Sequence, residues 1–139
     1  MNKEAQDFWD RAVESLGAAE ELLPKYADAC ASRAYYAAFH AVSAWFALRG
    51  QTFTRHSAVE TAVHRDLVKA GHWPSDLGKA YSFLLELRFT GDYGGGKHVS
   101  REEAEKAVHN ARRILQAVHQ LNPEAFPIPK AGFSPTNKL

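Results

Sequence analysis

The 139-residue sequence predicts an all-α protein, an antiparallel up-and-down four-helix bundle with one additional short helix. Three observations carry that reading. Apolar residues recur at three- and four-residue steps through several long segments. Glycine, proline and serine punctuate the gaps between them, and no stretch alternates apolar with polar residues as a half-buried strand does. Short connections place successive helices beside one another and antiparallel.

The elements follow in order. Between Asn2 and Leu23, Phe8, Trp9, Val13, Leu16, Leu22 and Leu23 form one apolar face with Ala12 and Ala19, and charges fill the rest. Pro24 ends this first helix, because proline lacks the amide donor and clashes with the preceding turn. A second helix from about Tyr26 to Leu48 is rich in alanine and aromatics, and Gly50 can take the left-handed conformation beyond its last turn. "GQTFTRHS" connects it to a short third helix, which the capping-box pair Ser57 and Glu60 should open and which ends near Gly71. Ser75 is placed to cap a fourth helix whose Leu77, Tyr81, Leu84, Leu85 and Leu87 run to about Phe89. "TGDYGGGKH" then reads as a loop, and Ser100 with Glu103 forms a second capping box for a fifth helix ending at Leu121. The predicted domain is residues 1–121. Pro123, Pro127, Pro129 and Pro135 make residues 122–139 an extended tail, packed locally or free.

Composition narrows the function. Lys and Arg number 17 against 16 for Asp and Glu, so no global basic field points to nucleic acid, and RNA would have to bind a local patch. Cys30 is the single cysteine, and "MNKEAQDFWD" has no apolar signal region, which together predict a cytoplasmic protein. No apolar run reaches the length of a membrane span, so no membrane role is expected. His56, His64, His72, His98, His109 and His119 form no HExxH motif and have no cysteine pair beside them, so neither a metal nor another cofactor is expected. "GGGKH" lacks the GK[ST] ending of a phosphate-binding loop. Arg112, Arg113 and Lys106 read as the solvated face of the fifth helix.

Chemistry concentrates in "SRAYYAAFHAVSAWF". Arg33 and His40 lie seven residues apart, within about 20° of each other around a helix, and Tyr36 sits a turn from each. Ala37 and Ala44 share that stripe and leave room for another backbone or a ligand, while Ala34, Ala38, Phe39, Val42, Trp45 and Phe46 point elsewhere, toward the bundle. A histidine titrating near neutrality beside an arginine can cleave RNA without metal, or the pair can simply hold a phosphate. The same two residues can equally serve as hydrogen-bonding groups between helices or at a dimer interface. "RFTGDY" supplies a second group, Arg88 on the last turn of the fourth helix and Asp92 and Tyr93 at the start of the glycine loop. Arg88 can cap the helix carbonyls, or converge with Asp92 and Tyr93 on the second helix.

Three separated motifs, "SRAYYAAFHA", "RHSAVETAV" and "LRFTGDY" before a capped helix, resemble the HEPN superfamily of small all-α domains over roughly residues 5–120. The resemblance is to the stand-alone branch whose second helix reads SRAYYA-x-FHA and whose fourth ends in R-x-x-x-DY. It implies a homodimer, often encoded beside a minimal nucleotidyltransferase as a toxin and antitoxin pair. It also implies metal-independent endoribonuclease activity through an Arg-x4-6-His pattern, which Arg33 and His40 fit, with Tyr36, Arg88, Asp92 and Tyr93 as binding residues. Two departures accompany it. Ala34 stands where nuclease members usually carry a polar residue, and no histidine lies between Arg88 and Tyr93 where several toxins have one. The alternative implied is a nucleotide- or RNA-binding module that partners the nucleotidyltransferase without cutting RNA itself.

Overall fold

The computed structural model describes residues 2–129 and Gly132. Among them are five helices and no strand: α1 (Lys3–Leu22), α2 (Ala27–Leu48), α3 (His56–Ala62), α4 (Ser75–Tyr93) and α5 (Arg101–Leu121), with a π-helical segment Val63–Lys69 continuing α3.

Helix α2 is the central element and packs against α1, α4 and α5. Its alanines make this possible. Ala31, Ala34, Ala37, Ala38, Ala41 and Ala44 have no exposed surface, and side chains this small let neighbouring helix axes approach closely. The α1–α2 pair is antiparallel, pinned by Asn2, whose side chain accepts from the Ala5 amide at 3.0 Å while its Nδ2 donates to the Ala47 carbonyl at 2.8 Å. Around α2 sit Trp9 and Leu16 of α1, Tyr81 and Leu84 of α4, and Ile114 and Leu115 of α5, all buried.

Gly50 takes the left-handed conformation that ends α2, with φ of 79°. Ser100 accepts from the Glu103 amide and Glu103 from the Ser100 amide, so the second capping box forms in both directions. The first does not. Helix α3 starts two residues earlier than a Ser57 cap would set it, at His56 with Arg55 as the cap, and the Glu60 carboxylate instead accepts from the Ser82 hydroxyl of α4 at 2.7 Å. A partner on another helix has displaced the local cap. Ser75 is likewise the first residue of α4 rather than its cap, which is Pro74 with no side-chain bond.

Helix α4 runs to Tyr93, four residues beyond the expected end near Phe89, so Asp92 and Tyr93 belong to its last turn and not to the glycine loop. Gly91 accounts for the longer helix. A Cβ there would lie 2.7 Å from the Asp28 carbonyl oxygen, so glycine is present because the start of α2 passes against it, not because the helix stops. Asp28 also fastens the true loop: Oδ1 accepts from the Val99 amide and Oδ2 from His98 Nδ1, each at 2.7 Å. The His98 hydrogen bond, then that from Val99, holds the Asp28 carboxyl below the usual carboxylate range.

Arg112 is not on a solvated face. It donates to Glu20 of α1 at 2.7 Å, and the Glu20 side chain is fully buried. Arg113 pairs with Asp76, and the Lys106 ammonium lies over the Phe83 ring. Of the tail, residues 122–129 pack locally. Phe126 is fully buried against Trp9, whose indole donates to the Pro127 carbonyl at 2.8 Å. Pro135 and its surroundings lie outside the described residues.

Candidate functional site

Neighbouring helices cover α2 except along one face. Ser32, Arg33, Tyr36, Phe39 and His40, at the three- and four-residue steps of a single helical stripe, remain partly exposed. Arg33, Tyr36 and His40 therefore share a face as their spacing predicts. Phe39, expected to turn toward the bundle, joins this stripe instead, its ring 5.4 Å from that of His40. Ala37 and Ala44 do not open the stripe to a ligand, because both are fully buried beneath the adjoining helices.

Tyr36 is the hub. The Arg33 guanidinium lies 4.8 Å from its ring centroid, the His40 ring 5.9 Å, and Arg88 Nη2 donates to its hydroxyl at 3.1 Å. Arg88 arrives from the penultimate turn of α4, where its Nε is 3.1 Å from Asp92 Oδ2 in a pair four residues apart along the helix. The Ser32 hydroxyl lies 3.5 Å from the same carboxylate oxygen. Arg88 thus spans the two motifs rather than capping helix carbonyls. Its guanidinium also sits 5.6 Å from the Tyr93 ring. Tyr93 itself stays 64% exposed and packs edge-on against Phe89, which is 62% exposed.

His40 is the buried end of the stripe. Phe8 of α1 stacks on it at 6.0 Å, and its Nδ1 is buried with no hydrogen-bond partner among the described residues. Burial, with smaller contributions from the Arg11, Arg33 and His56 charges, pulls its pKa down to about 4. The imidazole is therefore neutral at pH 7, able to accept a proton but not holding one in reserve.

Sequence reasoning gives His56 no role beyond failing to form a metal motif. It stands at the start of α3, its ring 4.9 Å from Phe39 and 5.8 Å from Tyr36, and its Nδ1 is 2.7 Å from the Tyr35 hydroxyl. The "RHS" triplet marks its position, but no spacing rule links it to α2. Among the described residues no group of three His, Cys, Asp or Glu side chains could hold a metal ion, and no helix is long and apolar enough to cross a membrane.

A helical bundle whose central helix presents arginine, tyrosine and a neutral histidine on its one uncovered face is a recognisable class of small domain. The HEPN domain family model matches residues 5–121, and the chain belongs to that family. A UPF0332 protein of Thermotoga maritima is 36% identical over 117 residues, covering 83% of this chain and 89% of that one. A UPF0332 protein of Gloeobacter violaceus is 32% identical, covering 84% and 94%. A protein of Methanocaldococcus jannaschii named a putative toxin is 26% identical, covering 81% and 78%. The crystal structure of a Thermus thermophilus protein superimposes with a TM-score of 0.75 at 28% identity, over 86% of this chain and 98% of that one.

Proposed function

We propose that this HEPN domain is a toxin-like, metal-independent endoribonuclease whose site is the uncovered face of α2. One observation carries the reading: Arg33 and a neutral His40 flank Tyr36, and Arg88 is brought to the same tyrosine from α4. Such a set contains what RNA transesterification needs without a metal. His40 takes the proton of a ribose 2′-hydroxyl, and the 2′-oxygen attacks the adjacent phosphorus. Arg33 and Arg88 stabilise the charge gathered on the phosphoryl oxygens. The bond to the 5′-oxygen breaks, the imidazolium returns its proton to that oxygen, and a 2′,3′-cyclic phosphate remains. The relative named a putative toxin is consistent with such an activity.

The test is cleavage of a mixed RNA pool by the purified protein in EDTA. His40→Ala and Arg33→Ala are each expected to lower the rate about 100-fold or more, the usual scale for a general base or a charge-stabilising group. Cleavage that survives both substitutions overturns the assignment.

A second reading is favoured by one feature, the exposed Phe89 and Tyr93 beside Arg88. In it the domain binds nucleotide or RNA without cutting it, and the aromatic pair meets a minimal nucleotidyltransferase or a second copy of the chain. Stable co-purification of a folded, RNA-inert protein with such an enzyme, lost in a Phe89→Ser/Tyr93→Ser variant, is its expected signature.

A further inference from the structure

A short hydrogen-bonded chain leads from the core of the bundle to the uncovered face. Tyr81, fully buried on α4, donates its hydroxyl hydrogen to the Tyr35 oxygen at 3.5 Å, its one hydrogen-bond partner among the described residues. The Tyr81 proton therefore points to Tyr35, and the Tyr35 hydroxyl spends its own proton on His56 Nδ1 at 2.7 Å. Both phenols stay protonated at any ordinary pH, since burial pushes Tyr35 up to about 12 and Tyr81 well above its normal value. A nitrogen that accepts a hydrogen bond from a protonated phenol carries no hydrogen, so the neutral ring holds its proton on Nε2. With Nδ1 held by Tyr35 and the residue partly exposed, Nε2 is the ring nitrogen left for a ligand. The ring stands against Tyr36 and Phe39, and its charge state is felt by His40, which places it in the same cluster. His56 is itself held below the usual histidine range, first by burial and then by the Arg88 charge.

We infer that His56 is a further binding residue of this site, presenting a fixed Nε2–H to a phosphoryl oxygen of RNA, with Tyr35 and Tyr81 as the positioning residues that set its tautomer. The inference rests on the reading that the α2 face takes an RNA phosphodiester, and it adds a neutral donor to the two arginines. A neutral donor has a distinguishing signature. It contributes affinity and geometry but releases no counterion, so its loss leaves the salt dependence of binding unchanged, whereas loss of an arginine lowers the salt slope by about 0.7 on a single strand.

The experiment is fluorescence anisotropy with a 2′-O-methylated RNA oligonucleotide, which cannot be cleaved, across a salt series. His56→Ala is expected to weaken binding about tenfold with an unchanged slope. His56→Gln, whose amide can donate from nearly the Nε2 position, should recover most of the loss. Arg33→Ala should lower affinity and slope together. Nitrogen-15 spectra of the histidine rings should show the Nε2–H tautomer for His56 in the wild type and a mixture in Tyr35→Phe. Wild-type binding with undiminished affinity in folded His56→Ala overturns the role of His56 and leaves the site's RNA reading standing. An Nδ1–H tautomer in the wild type overturns it equally. A folded wild type that binds no RNA overturns both.

Discussion

Arg88 donates to the Tyr36 hydroxyl at 3.1 Å, and this hydrogen bond joins the penultimate turn of α4 to the uncovered face of α2. It brings together two motifs separated by 52 residues in sequence. The arginine is only 12% exposed along its side chain, and Asp92 is its one carboxylate partner among the described residues. An aligned charge-assisted bond to a phenol fixes the guanidinium better than the exposed carboxylate can, because a surface ion pair contributes only about 0–1 kcal/mol.

Removing the Asp92 charge should therefore free Arg88 electrostatically without releasing it from Tyr36. Asp92→Asn is expected to tighten binding of a non-cleavable RNA about threefold at low salt, with a steeper salt slope. Arg88→Ala should weaken binding and flatten the slope. Anisotropy titrations from low to moderate ionic strength measure both effects. Equal binding in Asp92→Asn and wild type would mean that phosphate does not approach this guanidinium.

Gly91 is the position where the α4 register depends on a missing side chain. Its Cβ would fall 2.7 Å from a backbone oxygen, that of Asp28, which cannot rotate away as a side chain can. Gly91→Ala is expected to cost about 1–3 kcal/mol in chemical denaturation, despite the better helix propensity of alanine. Because the shift would fall on the turn that carries Arg88 and Asp92, RNA binding by the folded fraction should drop as well. Gly17→Ala is the control. Nothing beyond its own helix turn lies within 4 Å of the position its Cβ would take, and the substitution should be neutral or stabilising.

His40 sets the pH dependence. Its folded pKa of about 4 lies below its unfolded value of 6.5, so between those values the unfolded chain binds a proton that the folded chain refuses. Stability from this group is complete above pH 6.5 and is lost as pH falls toward 4. The loss is about 2 kcal/mol after allowance for screening at a partly exposed ring. In denaturation curves between about pH 7 and about pH 4.5 the wild type should lose stability relative to His40→Gln, which carries no titrating ring. For the cleavage reaction, the acid limb of kcat/KM should fall with an apparent pKa near 4, not near that of a free imidazole. A limb near 6.5 would assign the base to another group.

The all-α fold and the helix order were legible because apolar periodicity and capping signals are local, as Ser100 with Glu103 shows in both directions. What was not legible depended on distant partners. Glu60 left its expected cap for Ser82, and Gly91 continued a helix where a run of glycines suggested an end. The α2 stripe of Arg33, Tyr36 and His40 followed from helical geometry alone. The burial of Ala37 and Ala44 did not, because which side of a stripe is covered depends on where the other helices lie. The place of His56 in the cluster was not legible for the same reason. Its neighbours Tyr35, Tyr36 and Phe39 lie across a loop, and no sequence spacing encodes that approach.

The Glu20–Arg112 pair separates stability from function. Its carboxylate is fully buried, and the Arg112 bond at 2.7 Å links α1 to α5, neither of which carries a residue of the α2 stripe. Arg112→Ala leaves a buried charge without its cation, and such a loss costs about 3–5 kcal/mol. The expected result is a sharply lowered denaturation midpoint with RNA binding per folded molecule unchanged. Replacing both members with apolar residues, Glu20→Leu with Arg112→Met, removes the uncompensated charge along with its partner. That double variant should recover most of the midpoint, since apolar packing commonly matches or exceeds a buried ion pair. If the double variant stays as unstable as Arg112→Ala, the pair contributes through the further contacts of the arginine rather than through charge compensation. A selective fall in RNA affinity in either variant would instead place Arg112 in the binding surface.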